Sequence, residues 1–308
     1  MGFRKSKRCD NLNIEEAFTS YERVRHRLPT ATLKGSCKRL PNLDALADKM
    51  DVFLLDAFGV LNIGDTAIKG VPERVARLQN AGKRMMIVSN AAGFPHANLM
   101  AKYKRLGYDF APEDVITSRK AILQELYKAP PLKWGLMATK SLGRGDIESF
   151  DITYLAGDAT AYDQVDAFVL LGSADWNETR QALLEATLRE NPRPVYVGNP
   201  DIVAPRESGF SVEPGHYAHR LADQTGVVLE FFGKPFDNIF ELAFAQIENI
   251  DLARTVMVGD SLHTDILGGC VAGLKTALIA GYGFFSGHDV AGPIAASGIR
   301  PDYILERP

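Results

Sequence analysis

From Asp51 onward the chain alternates short apolar, β-branched runs with longer segments whose apolar positions recur at helical spacing. The runs are VFLLD (52–56), MMIVSN (85–90), VVLEFF (227–232), TVMVGD (255–260) and TALIAG (276–281). Each is apolar almost throughout, as a strand buried on both faces must be, which predicts a parallel sheet covered by helices. Between the first two runs lies VPERVARLQNAGK, where Pro72 suits a first helical position, Val71, Val75 and Leu78 share one face, and Gly82 ends the segment. After the third run, PFDNIFELAFAQIEN repeats the device, with Phe236, Ile239, Phe240, Ala243 and Phe244 turned inward. The expected fold class is therefore α/β.

The stretch 132–229 has its own cadence, with WGLMAT, AFVLLG and VYVGNP as strands around a helix at NETRQALLEATLREN. Turn-rich flanks, KAPPLK before it and the Gly215 region after it, predict an inserted domain. Residues 1–50 are expected to form an N-terminal extension with one helix near Ile14 to His26. The Gly-rich segment after Gly283 is expected to end near an edge strand, DYIL.

A length of 308 residues suits one packed core plus a smaller second unit. Composition (46% hydrophobic, 24% charged) is that of a globular protein, and a net charge of -3 gives no support to a nucleic-acid surface. No run approaches the roughly 20 apolar residues that span a membrane. Cys9, Cys37 and Cys270 are too scattered for a disulfide framework, which fits a reducing, cytoplasmic compartment. MGFRKSKR places Gly2 and Ser6 at the myristoylation spacing, although a basic tail accounts for it as well.

The chemistry gathers at strand ends. VFLLDAFGVL sets Asp56 at the carboxyl end of a parallel strand, the edge where open α/β sheets bind ligands. MMIVSNAAG repeats the arrangement 33 residues on, with Ser89 and Asn90 leaving a strand toward a helix start that can hold an anion. Gly233-Lys234-Pro235 puts a lysine between an apolar strand and a helix, where a phosphate or carboxylate is a natural partner. VMVGDSLHTDILGG carries Asp260 and Asp265 on a loop leaving another strand, and clustered carboxylates of this kind build magnesium sites. Capping and turn chemistry explain each segment singly, but not all four at strand ends.

DAFGVL, VSN, GKP and GDSLHTDILGG, in that order, resemble the four motifs of the haloacid dehalogenase superfamily over residues 51–283. The 33 residues between the first two motifs leave no room for a cap, whereas the 145 between Ser89 and Lys234 do, which resembles the class IIA phosphatases. Gly64, Gly70, VITS (115–118), VLLG (169–172) and Asn199-Pro200-Asp201 are similar to that subgroup as well. The resemblance implies a Rossmann-like core of residues 51–131 and 230–308, with helices on both faces of a parallel sheet. It also implies an inserted α/β cap domain, 132–229. By position, Asp56 is implied as the nucleophile that forms an aspartyl-phosphate. Ser89, Asn90 and Lys234 are implied as phosphate ligands. Asp56, the backbone carbonyl of Phe58 and Asp260 are implied as Mg2+ ligands, with Asp265 in support. Asn199, Asp201 and Arg206 are expected to contact substrate, with the Asn-Pro-Asp turn an equal account of the first two. The implied partner is a small phosphorylated substrate, with room for a homodimer through the cap.

One departure stands out. Superfamily phosphatases carry a second aspartate two residues after the nucleophile, and this chain has Phe58. A phenyl ring cannot move a proton, and general acid-base help is typically worth about 10² to 10⁴ in rate. Three activities stay open: a phosphatase that replaces the missing acid or prefers good leaving groups, a silent binder of phosphorylated ligands, and a haloacid dehalogenase. The last has its cap elsewhere in the chain and no use for the Asp260-Asp265 pair. His263 is expected in an exposed loop or at a helix start, and His216 and His219 on a helix, in packing or solvent.

Overall fold

The computed structural model describes residues 12–206 and 209–308; Gly2, Ser6, Cys9 and the basic run around them lie outside the described residues. Seven parallel strands form the main sheet, in the spatial order Lys38–Leu40, Tyr303–Leu305, Lys275–Ile279, Thr255–Gly259, Val52–Leu55, Arg84–Ser89 and Val115–Thr117. The central strands, Val52–Leu55 and Thr255–Gly259, are buried at every position. This is why their sequences are continuous apolar runs rather than alternating ones. Leu54 faces Met257 on one side and Met86 on the other, a register that brings the strand ends after Leu55, Gly259 and Ser89 to one edge. Helix Val71–Asn80 covers one face through Val71, Val75 and Leu78, and helix Asn238–Phe244 covers the other through Ile239, Phe240 and Ala243. The fold is a Rossmann-like α/β fold.

A second parallel sheet orders Leu229–Phe231, Val195–Val197, Ala167–Leu170, Lys133–Met137 and Asp151–Tyr154. Its core joins Phe168, Leu170, Val195 and Val197 to Leu184 and Leu188 of the helix Glu178–Glu190, which Asn177 caps. An antiparallel hairpin, Val203–Pro205 with Phe210–Val212, stands apart from both sheets.

Two strand expectations are corrected. VVLEFF is not a strand of the main sheet, because Leu229–Phe231 pairs with Val195–Val197 of the second. Apolar character alone cannot tell which of two parallel sheets will accept a strand. Nor does DYIL form an edge: Tyr303–Leu305 is flanked on both sides, and the outer position belongs to Lys38–Leu40 from the N-terminal segment. That edge strand reads KRL, exposed at its two charged residues, in keeping with the charge that edge strands use against aggregation.

The N-terminal helix is observed at Ile14–Arg23, opened by an Asn13–Glu16 capping box and followed by a 3-10 turn at Arg25–Arg27. Its buried face, Ala17 and Tyr21 with Val24 and Leu28 beyond, packs into one apolar cluster with Leu262, Ile266, Phe284 and Ile202.

Candidate active site

Asp56 leaves the strand Val52–Leu55 with its backbone N–H on the carbonyl of Val258, so two neighbouring strands fix its position. Its Oδ1 accepts a 2.6 Å hydrogen bond from Lys234 Nζ, and Lys234 Nζ donates a second 2.6 Å bond to Asp265 Oδ1. Lys234 is only 2% exposed, so this ammonium has no aqueous alternative to its carboxylates. The other oxygen of Asp265 accepts the backbone N–H groups of Asp260 and Ser261, both at 3.0 Å. Asp265 is thereby spent on orienting the loop and the lysine. Asp260 Oδ2 accepts the N–H of Phe284 at 2.8 Å. Gly283 permits this approach: it has φ +70°, and a Cβ there would lie 1.8 Å from the same oxygen.

One ligand atom from each of Asp56, Asp260 and Asp265 lies within 4.8 Å of the others. Three carboxylates share the single ammonium of Lys234 in a buried space, and the charge is uneven. Burial, with Asp265 adding to it, pushes Asp56 up to about 6 against the pull of Lys234. Burial and the neighbouring Asp265 and Asp56 push Asp260 well above the carboxylate range. Burial acts to lower Lys234, but Asp265 and Asp56 outweigh it and raise the ammonium overall. A divalent cation supplies the charge this donor set lacks, and all-oxygen donors suit a hard ion. The residues present therefore fit a divalent metal.

Ser89 ends the strand Arg84–Ser89 and is buried. Asn90 beside it has its side chain committed elsewhere. Its Nδ2 donates to Asp201 Oδ1 at 2.8 Å and to the Lys234 carbonyl at 2.9 Å, and its Oδ1 accepts the Lys234 N–H at 2.8 Å. Gly233 makes room for this clamp, since a Cβ at its φ of +118° would meet Asn90 Oδ1 at 2.5 Å. Burial pushes the carboxyl of Asp201 up to about 8, partly countered by the Asn90 bond.

Of the three expected substrate contacts, Asp201 is thus held against Asn90. Asn199 holds its own turn, accepting the N–H of Asp201 at 3.0 Å, in keeping with the Asn-Pro-Asp turn account. Arg206 carries its guanidinium carbon to 5.9 Å from the centre of the Phe58 ring, and Glu213 (2.8 Å) and Ser211 (2.7 Å) fix it there. Asp65 is an exposed turn residue, 3.8 Å from Lys102.

His263 stands at a helix start, one of its two expected places, but the exposed-loop expectation is corrected: it is 1% exposed. It sits in a π-helical turn, Leu262–Ile266, stacked on Tyr21 and paired with Glu22. Tyr21, Glu22 and the Phe284 N–H are the contacts that motif reasoning missed. The only hint of the last was the Gly-rich stretch around Gly283.

Two family models match the chain, the haloacid dehalogenase-like hydrolase over residues 53–142 and the HAD-hydrolase-like model over 231–307. Glycerol-3-phosphate phosphatase of Gallus gallus is 30% identical over 310 residues, which cover 90% of this chain and 96% of that protein. The chain belongs to the haloacid dehalogenase-like hydrolases. Human (Homo sapiens) chronophin is 31% identical, over 73% of the chain and 79% of its own length. Among solved structures, a possible sugar phosphatase of this superfamily from Cytophaga hutchinsonii superimposes with a TM-score of 0.75 at 24% identity, covering 90% of this chain and 98% of that one. The family matches fall on the two segments that carry Asp56, Ser89, Lys234, Asp260 and Asp265, so this hydrolase has all four motif segments inside family-matched sequence or at its border.

Proposed function

We propose that this hydrolase is a Mg2+-dependent phosphatase of small phosphorylated metabolites, with Asp56 as nucleophile. The observation that carries the proposal is the Asp56–Lys234–Asp265 chain of two 2.6 Å bonds, with Asp260 alongside, at the carboxyl edge of the sheet. Its relative in chicken is a glycerol-3-phosphate phosphatase, which favours phosphorus over carbon as the atom attacked.

Asp56 attacks phosphorus, the P–O bond to the leaving oxygen breaks, and the carboxylate carries the phosphoryl group until water releases it as inorganic phosphate. Ser89 and the backbone at Asn90 bind phosphoryl oxygens, while the Asn90 side chain seats Lys234, whose Nζ offsets charge on Asp56 and on the phosphate. Asp56, the Phe58 carbonyl and Asp260 would hold the metal, with Asp265 in support, and a bound ion would supply positive charge against the phosphoryl oxygens. The insert, whose sheet runs on to Phe231 rather than ending at 229, acts as a cap over the site, and Arg206 beside Phe58 would face the leaving group. Because Phe58 cannot donate a proton, phosphate esters of alcohols that leave readily as anions are the better substrates.

The test is release of inorganic phosphate from a panel of phosphorylated metabolites and p-nitrophenyl phosphate, with and without magnesium chloride. Turnover lost in Asp56→Asn and absent without metal is expected. Phe58 also favours a second reading, a binder without turnover: tight binding of phosphate esters with no release from any of them would replace the first.

A further inference from the structure

The N-terminal helix lies outside both family-matched segments, yet one face of it touches both halves of the site. Tyr21 stacks on His263 with ring centres 5.1 Å apart and planes 11° from parallel, and Phe18 meets the same imidazole edge-on at 5.4 Å. Glu22 Oε1 lies 2.5 Å from His263 Nε2. His263 stands between Asp260 and Asp265, in a π-helical turn, a rare backbone form that is frequent at functional sites. On the other side, the Tyr21 hydroxyl accepts the N–H of Ile202 at 3.1 Å. Ile202 follows Asp201, which holds Asn90, which in turn clamps the backbone of Lys234.

Packing alone does not call for this polar pair. An apolar side chain at position 263 would fill the same pocket without burying an imidazole that needs a partner. The Glu22–His263 bond is directional and fixes the orientation of a ring on the loop that carries two of the three clustered carboxylates. Groups bonded directly to metal ligands set ligand orientation, and losing them typically costs 10- to 100-fold in metal affinity. Glu22 and His263 act one step further back, through the backbone of the loop, so the lower end of that range applies.

We infer that the N-terminal helix is a positioning element of the active site. Glu22 and Tyr21 hold His263, and with it the Asp260–Asp265 loop, in the geometry that takes the metal. The Tyr21 hydroxyl holds the Ile202 segment, and with it the clamp on Lys234. The inference rests on the metal-dependent reading above.

The experiment titrates magnesium chloride into the full chain without substrate and reads the midpoint of the rise in Tm. Glu22→Ala and His263→Phe should each move that midpoint to higher magnesium by on the order of tenfold. Because both cut the same bond, the double variant should move it no further than either single one. Glu22→Gln, which keeps a neutral hydrogen-bonding side chain, should recover part of the shift, and it serves if Glu22→Ala does not fold. Tyr21→Phe keeps the ring over His263, so it should leave the midpoint in place and weaken inhibition by inorganic phosphate several-fold.

A lowered metal-free Tm with an unchanged midpoint in Glu22→Ala and Glu22→Gln would overturn the inference, leaving the helix as scaffold only. Additive shifts in the double variant would overturn it too. If magnesium fails to raise the Tm of the unsubstituted chain, the metal reading falls and this inference with it. Asp260→Asn abolishing the magnesium shift in a chain that otherwise folds shows that the metal reading has survived on its own.

Discussion

At the scale of single residues the site depends on positions where one atom more or less changes the chemistry. Phe58, two residues after Asp56, has no proton to donate, and Arg206 sits over its ring, a cation that stabilises charge but cannot give up a proton. Restoring a carboxyl with Phe58→Asp should raise turnover of alkyl phosphates by up to about 10². p-Nitrophenyl phosphate should respond much less, since its leaving group needs no proton; equal gains on both would remove the explanation. Gly283 works in the opposite sense, by absence. A methyl group 1.8 Å from Asp260 Oδ2 has to displace that carboxylate or the Phe284 N–H that holds it. With Asp260 as the proposed metal ligand, Gly283→Ala should lower kcat by about 10-fold or more, as loss of a ligand's partner does, with the fold kept as judged by circular dichroism. Both positions lie within motif-bearing or Gly-rich sequence. Only Phe58 was open to interpretation from the sequence, because its role depends on a neighbour in the chain and that of Gly283 on one in space.

At the scale of elements, the strand ends were legible because burial on both faces leaves an unmistakable apolar signature in Val52–Leu55 and Thr255–Gly259. What holds the connecting segments was not. Arg119, on the first turn of the helix Ser118–Lys128, is 3% exposed and donates to the carbonyls of Ala92 and Gly145 and to Asp146. It thus ties the loop after Asn90 to the turn between strands Lys133–Met137 and Asp151–Tyr154 of the second sheet. Arg119→Met should cost about 2 kcal/mol or more in urea unfolding, because it leaves buried carbonyls without a donor. A loss within 0.5 kcal/mol would mean that water takes over those bonds. A charged residue in a helical pattern reads as solvent-facing, so neither Arg119 nor His263 could be placed from its sequence context alone.

At the scale of the whole molecule, the two sheets meet through the segment that carries Lys234, and an aromatic stack marks the junction. His219 stacks on Phe231 at 5.0 Å, and Phe231 stacks on Phe236 at 5.1 Å. His219 is 3% exposed, neither of its ring nitrogens has a hydrogen-bond partner among the described residues, and burial, with Arg27 adding to it, pulls it from 6.5 down to about 4. The folded state therefore resists a proton that the unfolded chain accepts. The neutral ring contributes its full stability above pH 6.5, and that contribution is lost as pH falls toward 4, by at most about 3 kcal/mol. His219→Phe keeps the stack and removes the titration, so its Tm should fall less than that of the unsubstituted chain between pH 6.5 and 4.5. Parallel Tm curves would show that other groups govern acid stability. The four motifs, their order and the α/β class were determined by sequence alone, since each needs only a local pattern: an apolar run, then a polar residue at its end. Tertiary structure alone decided that Leu229–Phe231 joins the second sheet, that Lys38–Leu40 forms the outer edge of the first, and that Tyr21 and Glu22 meet His263. Those contacts join residues as far apart as Lys38 and Tyr303, or Glu22 and His263, and no local pattern encodes which distant partner will satisfy a buried polar group.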